Sequence, residues 1–361
     1  MEDVGLDFSF WRGRRVLLTG HTGFKGSWLL LLLESLGAQV TGVSLEPDAG
    51  GLFEQIRGGA RCAHIVADIR DEGAMRSLVA TARPEIILHL AAQPLVRQSY
   101  ADPLETIRTN VLGTATLLEA ARSVEGLLAI VSVTTDKCYA NDGRSSGYVE
   151  SDRLGGHDPY SNSKACAELV TQCFRDSFYA SRGVGVATAR AGNVIGGGDY
   201  AADRLIPDAI RALSAGKRPE LRNPGAVRPW QHVLEPVSGY LLLAQNLAID
   251  PKRHAKGWNF GPPAADVVSV AAVVERLASH WGQSADFDAQ PGDHPHEAAL
   301  LTLDSSMATR ELGWKPRLTL ATAVEWTADW YRNQSAGADA AQLCFDQIAR
   351  FVATGRVRAA A

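Results

Sequence analysis

The sequence predicts an α/β fold: a doubly wound parallel sheet with helices on both faces and a smaller mixed α/β lobe. Two observations support this prediction. In the first half of the chain, short apolar runs alternate with longer helical patterns, as in successive strand–helix–strand units. After residue 191 the alternation is lost, because glycines and prolines interrupt short apolar pieces.

The predicted strands of the main sheet are apolar runs in the first half of the chain. We place them at residues 15–19, 39–43, 64–67, 85–89, 128–133 and 184–189. Helices are predicted at 24–36, where Gly37 is suited to end the helix, and at 110–122. The segment around Tyr160 opens the next long helix.

The second half of the chain is predicted to be less regular. Helical patterns cover 267–281 and 320–330, and the alanine-rich tail after residue 334 is either a terminal helix or frayed. We therefore predict three regions. Residues 1–190 form mainly the sheet domain, 191–335 mainly a smaller lobe with elements returning to the sheet, and 336–361 a C-terminal helix or tail.

Composition excludes several classes of protein. With 46% hydrophobic and 21% charged residues, the chain of 361 residues is ordinary for a globular protein. A net charge of −4 gives no basic excess for nucleic acid. The five cysteines form no CxxC pair, so we predict neither disulfides nor a metal site. The apolar run at 28–33 is too short to cross a membrane and the acidic start is unlike a signal peptide, so a cytoplasmic location is expected.

The glycine-rich turn Gly20-His-Thr-Gly-Phe-Lys-Gly26 follows the first predicted strand and opens the first helix. Glycines let the backbone approach a pyrophosphate, which then lies on the helix N-terminus. The spacing GxxGxxG differs from the common GxGxxG fingerprint, and a plain turn is the alternative. Its position between strand and helix indicates a Rossmann-type dinucleotide site. The residues assigned to it are Gly20, Thr22, Gly23, Phe24, Lys25 and Gly26.

Acidic residues after the second and third strands are candidates for the adenosine end of the same dinucleotide. Glu46 can hold the ribose 2′-hydroxyl and favour NAD over NADP; a loop acid is an equal alternative. Positions 44 and 45 carry no arginine for a 2′-phosphate, so we predict NAD. Asp68 and Ile69 are placed to meet the adenine, and the alternative for Asp68 is a helix N-cap.

Small residues after the fourth strand are further cofactor candidates. Leu90, Ala91, Ala92 and Gln93 allow close approach at the carboxyl ends of the strands, although a core-packing turn has the same pattern. Asn110 lies on the helix predicted to cross beneath the nicotinamide, or is simply a polar helix position.

Tyr160 and Lys164 are the strongest indication of chemistry. Four residues apart on a helix, they share one face, where the ammonium stabilises a phenolate that can take the proton of a hydroxyl. Thr135 can bond the same hydroxyl, and Asp136 and Lys137 add an acid–base pair that alcohol oxidation does not need. Alone, the Thr-Asp-Lys triplet would be interpreted as a turn.

Arginines in the second half are candidates for an anionic substrate, because their forks suit a diphosphate. Some of them are alternatively plain surface charges, and Trp230 either covers the ligand or packs. A His-x-His-Glu string at 294–297 is weak as a metal motif and is interpreted as a loop near the substrate. The predicted substrate residues are Gln93, Asn193, Arg204, Arg222, Arg228, Trp230 and His296.

Over almost its whole length the sequence resembles the extended short-chain dehydrogenase/reductase family, and within it the CDP-glucose 4,6-dehydratases. The Tyr-x-x-x-Lys pair and the glycines mark only the superfamily, whereas Thr135-Asp-Lys-Cys-Tyr139 and Arg228-Pro-Trp-Gln-His-Val233 are far narrower. The other matching stretches are Gly20-His-Thr-Gly-Phe-Lys-Gly-Ser-Trp28, Ala91-Ala-Gln-Pro-Leu-Val-Arg97, Asp158-Pro-Tyr-Ser-Asn-Ser-Lys164 and Arg190-Ala-Gly-Asn-Val-Ile-Gly-Gly-Gly-Asp199.

This resemblance implies an internal redox cycle on a CDP-sugar with NAD retained. Tyr160 takes the proton of the 4-hydroxyl, and Asp136 protonates the departing 6-hydroxyl. Related dehydratases carry Asp-Glu where this chain has Asp136-Lys137. The C5 base is therefore open: Lys137 acts as a base if neutral, or stabilises the enolate. The family also commonly forms a homodimer or homotetramer through a four-helix interface, here the helices of Asn110 and Tyr160.

Two alternative classes remain after the sequence analysis. One is another nucleotide-sugar dehydratase or a 4-epimerase of the same family, and Asp136-Lys137 argues against the epimerase. The other is a non-catalytic NAD-binding regulator, against which the presence of both Tyr160 and Lys164 argues.

Overall fold

A parallel sheet of seven strands organises the chain in the computed structural model, which describes residues 5–284, 286–289 and 300–358, with side chains to residue 355. The strand order across this sheet is β3-β2-β1-β4-β5-β6-β10. Among the described residues the strands are β1 Arg15–Thr19, β2 Gln39–Ser44, β3 Ala63–Val66, β4 Ile86–His89, β5 Ala129–Val133, β6 Gly185–Ala191, β7 Asn193–Ile195, β8 Glu220–Leu221, β9 Val227–His232, β10 Gly257–Phe260, β11 Val267–Ser269 and β12 Asp288–Ala289.

Helices cover both faces of this sheet and build most of the second half. In the described part of the chain they are α1 Phe8–Trp11, α2 Phe24–Ser35, α3 Leu52–Gln55, α4 Glu72–Ala82, α5 Val96–Ala101, α6 Pro103–Ile107, α7 Gly113–Ala121, α8 Pro159–Phe174, α9 Leu205–Ser214, α10 Leu234–Ile249, α11 Pro251–His254, α12 Val270–Trp281, α13 Ser306–Leu312, α14 Leu320–Ser335 and α15 Ala340–Arg358. Short 3₁₀ or π turns lie between some of them, including Arg108–Leu112 and Asp136–Cys138.

The order of the strands creates a crevice at the centre of the sheet. β1 pairs in parallel with β2 on one side and with β4 on the other, so the chain winds outward in both directions from this point. In open α/β sheets, ligands bind at the carboxyl ends of the strands beside such a switch point. The predicted doubly wound parallel sheet is confirmed.

Elements of the second half join the main sheet as well as forming the lobe. β10 pairs in parallel with β6 and becomes the edge strand of the seven. Two small sheets, β11-β9-β7 and β12-β8, lie outside it. The division into residues 1–190, 191–335 and 336–361 stays a prediction.

Two predicted helices differ in detail from those observed, and the structure decides between the two alternatives for the C-terminal tail. The predicted helix at 110–122 begins earlier, at Pro103, and contains a π turn at Arg108–Leu112. The first three residues of the predicted helix at 267–281 form β11 instead, because they pair with β9; Ser269 then caps α12. The alanine-rich tail is a helix, α15, because its residues 340, 344, 348 and 351 place buried side chains on one face.

The apolar run at 28–33 is buried on the sheet rather than exposed to lipid. All six side chains are at most 1% exposed, and each buried leucine contributes about 1.5–3 kcal/mol to stability. The Trp28 indole Nε1 donates to the carbonyl of Gly197 at 2.9 Å, which ties α2 to the loop after β7. Every helix in the described ranges is too short or too polar to span a membrane.

Candidate active site

A single continuous cleft of about 1560 Å³ lies at the carboxyl ends of the main-sheet strands. The glycine-rich turn and Asp68 line one part of it, while Asp136 and Tyr160 line the centre. Arg204 and Arg222, from the second half of the chain, line the other part. The cleft is therefore bounded both by the sheet and by the smaller lobe.

The glycine-rich turn has the shape that a pyrophosphate needs. Gly20 has a φ of +75°, and a Cβ there would lie 2.6 Å from the amide nitrogen of Ala91. A Cβ at Gly26 would lie 2.1 Å from the Gly20 carbonyl oxygen, so both positions require glycine. At Gly23, which precedes α2, the nearest atom is 3.5 Å away and no side chain caps the helix. The N-terminus of α2 therefore faces the cleft, as an anion site requires.

The buried side chain of His21 supports the glycine-rich turn, a role that was not predicted from the sequence. It is fully buried, packs edge-on against Phe53 and shares a hydrogen bond with His64, Nε2 to Nδ1 2.7 Å. Burial lowers the pKa of His21 to about 4, so its ring is neutral. A Cβ at Gly42 would lie 2.4 Å from this ring, which explains the glycine in β2.

The predicted adenosine residues lie on the same side of the cleft. Asp68 accepts from Arg70 through both carboxylate oxygens, and this hydrogen bond lowers its pKa. The N-cap interpretation of Asp68 is wrong: Asp71 caps α4 by accepting from the amide of residue 74 at 2.9 Å. Ile69 is buried at the cleft wall, and Glu46 is exposed on its rim.

Gln93 and Asn110 lie behind the cleft wall rather than in it. The Gln93 side chain bonds to the backbone of Leu95 and to Thr106, Nε2 to Oγ1 2.8 Å. Asn110 is 1% exposed; its amide bonds to the backbone of Gln93 and donates to Ser163 Oγ at 2.8 Å. Both side chains support the loop that carries Leu90, Ala91 and Ala92 to the cleft, and their direct contact with ligand stays a prediction.

The Thr-Asp-Lys triplet forms a short helical turn at the end of β5. Thr135 begins it: its hydroxyl accepts from the Lys137 amide at 3.3 Å and donates to Asp136 Oδ1 at 3.0 Å. Asp136 is 2% exposed, and its Oδ2 has no hydrogen-bond partner among the described residues. A Cβ at Gly192 would lie 3.1 Å from this oxygen, so the glycine leaves it open.

Burial raises the pKa of Asp136, which favours its protonated form. Lys137 and the Thr135 hydroxyl oppose that shift, as does the more distant Arg228. Asp136 is thus placed to act as a buried proton donor that faces the cleft. Lys137 is half-buried on the same wall.

Helix α8 presents Tyr160 and Lys164 next to this turn. Asp158 caps the helix by accepting from the Ser161 amide at 2.9 Å, and Pro159 occupies its first position. Burial raises the pKa of Tyr160 to about 12, although a hydrogen bond with Thr135 acts in the opposite direction. The Lys164 Nζ donates to the carbonyl of Val133 at 3.2 Å.

Two lysines that line the cleft, Lys164 and Lys25, have lowered pKa values. Burial lowers that of Lys164 to about 8, and repulsion from Lys25 contributes. Lys25 likewise has a pKa of about 8, from burial and then from Arg204. The attraction of Lys25 to Asp136 and Asp199 opposes this shift, so the lysine of the glycine-rich turn reaches the centre of the cleft.

Arginines of the lobe line the far part of the cleft. Arg204 pairs with Asp199, Nη1 to Oδ2 2.9 Å, and Arg222 pairs with Asp203 at 3.3 Å. Arg228 is 5% exposed on β9 and acts electrostatically on Asp136.

The other predicted substrate residues have different environments. Asn193 and Trp230 both line the cleft; Trp230 is 3% exposed, and its Nε1 donates to the carbonyl of Val268 at 3.1 Å, so most of its ring is packed in the protein. His296 lies outside the described residues. In the part of the chain that the structure describes, no cluster of three or more His, Cys, Asp or Glu side chains suits a metal ion.

Comparison with known proteins gives consistent matches over most of the chain. The sequence profile of the family described as GDP-mannose 4,6 dehydratase matches residues 17–327. The chain is 48% identical over 339 residues to the CDP-glucose 4,6-dehydratase of Salmonella typhimurium strain LT2, a match covering 91% of this chain and 94% of that relative.

Solved structures share this fold. A dTDP-glucose 4,6-dehydratase from Streptomyces venezuelae, with NAD bound, has a TM-score of 0.77 and 26% identity, and the match covers 88% of this chain and 97% of that one. A UDP-glucose 4-epimerase from Thermotoga maritima also has a TM-score of 0.77, with 22% identity over 88% of this chain and 99% of that one. The similarity to the epimerase shows only that the two proteins share a fold.

Proposed function

The chain belongs to the GDP-mannose 4,6-dehydratase family, and from this premise we propose that it converts CDP-glucose to CDP-4-dehydro-6-deoxyglucose with NAD as retained cofactor. One observation carries the choice of reaction. Asp136 presents to the cleft, beside Tyr160 and Lys164, a buried carboxyl oxygen that has no hydrogen-bond partner in the described part of the chain. A reaction that only oxidises a hydroxyl does not need that acid.

NAD fits the part of the cleft formed by the glycine-rich turn. The close approaches at Gly20 and Gly26, and the uncapped start of α2, suit its pyrophosphate. Glu46 and Asp68 line the cleft where the adenosine would lie, and Lys164 lies where the nicotinamide riboside would be held. When bound, NAD takes a hydride from C4 of the sugar and returns it to C6.

In the first half of the reaction, Tyr160 removes the proton of the 4-hydroxyl. Its pKa of about 12 keeps the phenol protonated in the free site, so the phenolate needs nearby positive charge. The Lys164 ammonium, one helical turn away, supplies it. Thr135 lies next to the phenol and orients the same 4-hydroxyl by a hydrogen bond.

In the second half, the 4-ketone acidifies C5 and water leaves across C5 and C6. Asp136 donates its proton to the departing 6-hydroxyl, a role that suits a carboxyl whose pKa is raised by burial. Lys137 lies on the same wall and takes part in the removal of the C5 proton, as base or as stabiliser of the enolate. The 4-keto-5,6-ene left by the loss of water would then take the hydride at C6 and a proton at C5.

The arginines of the lobe suit the diphosphate of the substrate. Arg204 and Arg222 line the cleft, and within the described residues each forms an ion pair with one aspartate, so part of its fork can turn to phosphate oxygens. Cytidine as the base is supported by the Salmonella relative, whose name specifies CDP-glucose.

A 4-epimerase is the second candidate, since an epimerase shares the fold. Epimerisation needs Tyr160 and Lys164, but it contains no step in which Asp136 would act as an acid. The experiment that separates the two supplies the protein in turn with CDP-, dTDP-, UDP- and GDP-hexoses, and follows product mass and the absorbance of a 4-keto-6-deoxy sugar in alkali. We expect loss of one water from CDP-glucose. An isomeric product of unchanged mass, or no product from CDP-glucose, would contradict the proposal.

We further propose a dimer through α6, α7 and α8. Leu104 on α6, Leu112 in the π turn before α7 and Leu169 on α8 are 55–61% exposed, and α6, α7 and this turn all pack against α8. An apolar face of this kind favours a partner, and a second copy would complete a four-helix interface. Sedimentation should show a dimer or a tetramer built from it, which Leu104→Glu with Leu169→Glu reduces to monomers. The cytoplasmic location stays a prediction.

A further inference from the structure

A buried ion pair lies directly behind the catalytic turn. Glu168 on α8 and Arg190 on β6 are joined twice, Oε2 to Nη2 at 2.7 Å and Oε1 to Nε at 3.0 Å. Their side chains are 3% and 5% exposed. Neither residue lines the cleft, so neither can touch the substrate.

The pair ties down both ends of the turn that carries Asp136. At the first end, the Thr134 hydroxyl donates to Glu168 Oε1 at 2.5 Å. At the other end, Arg190 Nη1 donates to the phenol oxygen of Tyr139 at 2.6 Å. The turn between them is thus anchored to charged groups rather than to apolar packing alone.

The same carboxylate belongs to the helix of Tyr160 and Lys164. Glu168 lies one turn beyond Lys164 on α8, and its charge acts on that lysine. A shift of Glu168 would therefore move the helix relative to the turn. A buried ion pair is weak as a source of stability, because desolvation offsets its attraction. Its value here is geometric.

We propose that the Glu168–Arg190 pair is a positioning device, which holds the Asp136 carboxyl in register with Tyr160 so that elimination follows C4 oxidation. This inference rests on the proposed dehydration. Glu168 and Arg190 act through Thr134 and Tyr139, and the step that they serve is protonation of the leaving hydroxyl. A misplacement of about 1 Å can cost about a hundredfold in rate.

Two threonines offer a matched pair of variants. Thr134 and Thr188 are both buried, and both donate to the Glu168 carboxylate, at 2.5 and 2.6 Å. Thr134 precedes the catalytic turn, whereas Thr188 lies within β6. Thr134→Val and Thr188→Val each remove one hydroxyl donor at nearly constant volume. A general loss of structure would affect both alike.

The measurement is the absorbance of enzyme-bound NADH during turnover of CDP-glucose, together with product formation. In Thr134→Val we expect product formation to fall about tenfold while NADH accumulates, since elimination slows and oxidation does not. In Thr188→Val, NADH should stay at the wild-type level. Tyr139→Phe, which loosens the other end of the turn, should resemble Thr134→Val.

Two results would overturn the inference while wild-type protein remains active. One is an equal loss of oxidation and elimination in Thr134→Val and Tyr139→Phe. The other is the same accumulation of NADH in Thr188→Val. If wild-type protein forms no product from CDP-glucose, the proposed function fails, and the positioning role fails with it.

Discussion

Helix α8 and the turn at Asp136–Cys138 meet in one site but are built in different ways. The helix places Tyr160 and Lys164 by its own period, with a cap at Asp158 and sixteen residues of regular structure. The turn is three residues long, and its position depends on contacts to β6 and α8. The oxidation pair is thus placed locally and the elimination acid by tertiary contacts.

This difference divides the proposed reaction between the two regions. Oxidation at C4 depends on the helix, and elimination depends on the turn. Substitutions of Tyr160 and Lys164 in the helix should stop the cycle before NADH forms, whereas substitutions of Asp136 and Lys137 in the turn should stop it afterwards. Each prediction below tests that division, beginning with the largest expected effect.

Tyr160→Phe should abolish both halves of the reaction, because the phenol oxygen is the proton acceptor at the sugar 4-hydroxyl. We expect product formation to fall about a thousandfold and no NADH to appear when CDP-glucose is added. Tyr179→Phe is a matched control: that buried phenol donates to the carbonyl of Leu118, away from the cleft. It should cost about 1 kcal/mol of stability and spare the chemistry. Persistent NADH formation in Tyr160→Phe would contradict the assignment of Tyr160 as the proton acceptor.

Asp136→Asn should separate the two regions most clearly. The amide keeps the size of the carboxyl but has no acidic proton to give, so elimination should slow about a hundredfold or more while C4 oxidation continues. Rapid mixing should show bound NADH accumulating at close to one per site. Parallel loss of NADH formation and of product would contradict the division between helix and turn.

Lys137 should affect proton exchange at C5. We expect Lys137→Ala to reduce elimination and the wash-in of deuterium from solvent at C5, by about a hundredfold. Lys137→Arg keeps a cation but cannot serve as a base at neutral pH, so it separates the two roles. Recovery of exchange in the arginine variant would assign Lys137 to enolate stabilisation. Wild-type-like wash-in by Lys137→Ala would remove it from the elimination altogether.

The pH dependence of C4 oxidation should reflect Lys164. The ammonium is the form that stabilises the phenolate, and its pKa of about 8 means that it is lost as pH rises through that value. Single-turnover NADH formation should therefore fall about tenfold for each unit above pH 8. Lys164→Arg should shift this alkaline limb to higher pH, because a guanidinium keeps its charge.

Lys25 supplies the control, since its pKa is also about 8. The alkaline limb should remain in Lys25→Met. If the alkaline limb instead disappears in Lys25→Met and persists in Lys164→Arg, the titrating group is Lys25 of the glycine-rich turn.

Features set by local spacing were predictable from the sequence. All six predicted strands begin within one residue of those observed, and five also end within one residue, whereas β6 ends two residues later than predicted. The Tyr160–Lys164 face follows from helix geometry alone. The family predicted from the motifs is confirmed by the match over residues 17–327.

Features set by distant pairs were not predictable in this way. Glu168 and Arg190 are 22 residues apart and meet only because α8 packs on β6. His21 meets His64 across β2, and nothing in the spacing of the glycines indicates it. The sequence also did not indicate where each side chain points. Gln93 and Trp230 were both predicted to bind substrate, but their polar groups form hydrogen bonds with the backbone of nearby residues.

The path of the hydride tests the central claim most directly. CDP-glucose carrying deuterium at C4 should give a 4-keto-6-deoxy product with that deuterium at C6 of the same molecule. When the deuterated substrate also carries ¹³C and is mixed with substrate that carries neither label, no product should contain deuterium without ¹³C. Deuterium that remains at C4, or that is lost to solvent or to free NADH, would contradict an internal redox cycle that joins the helix and the turn.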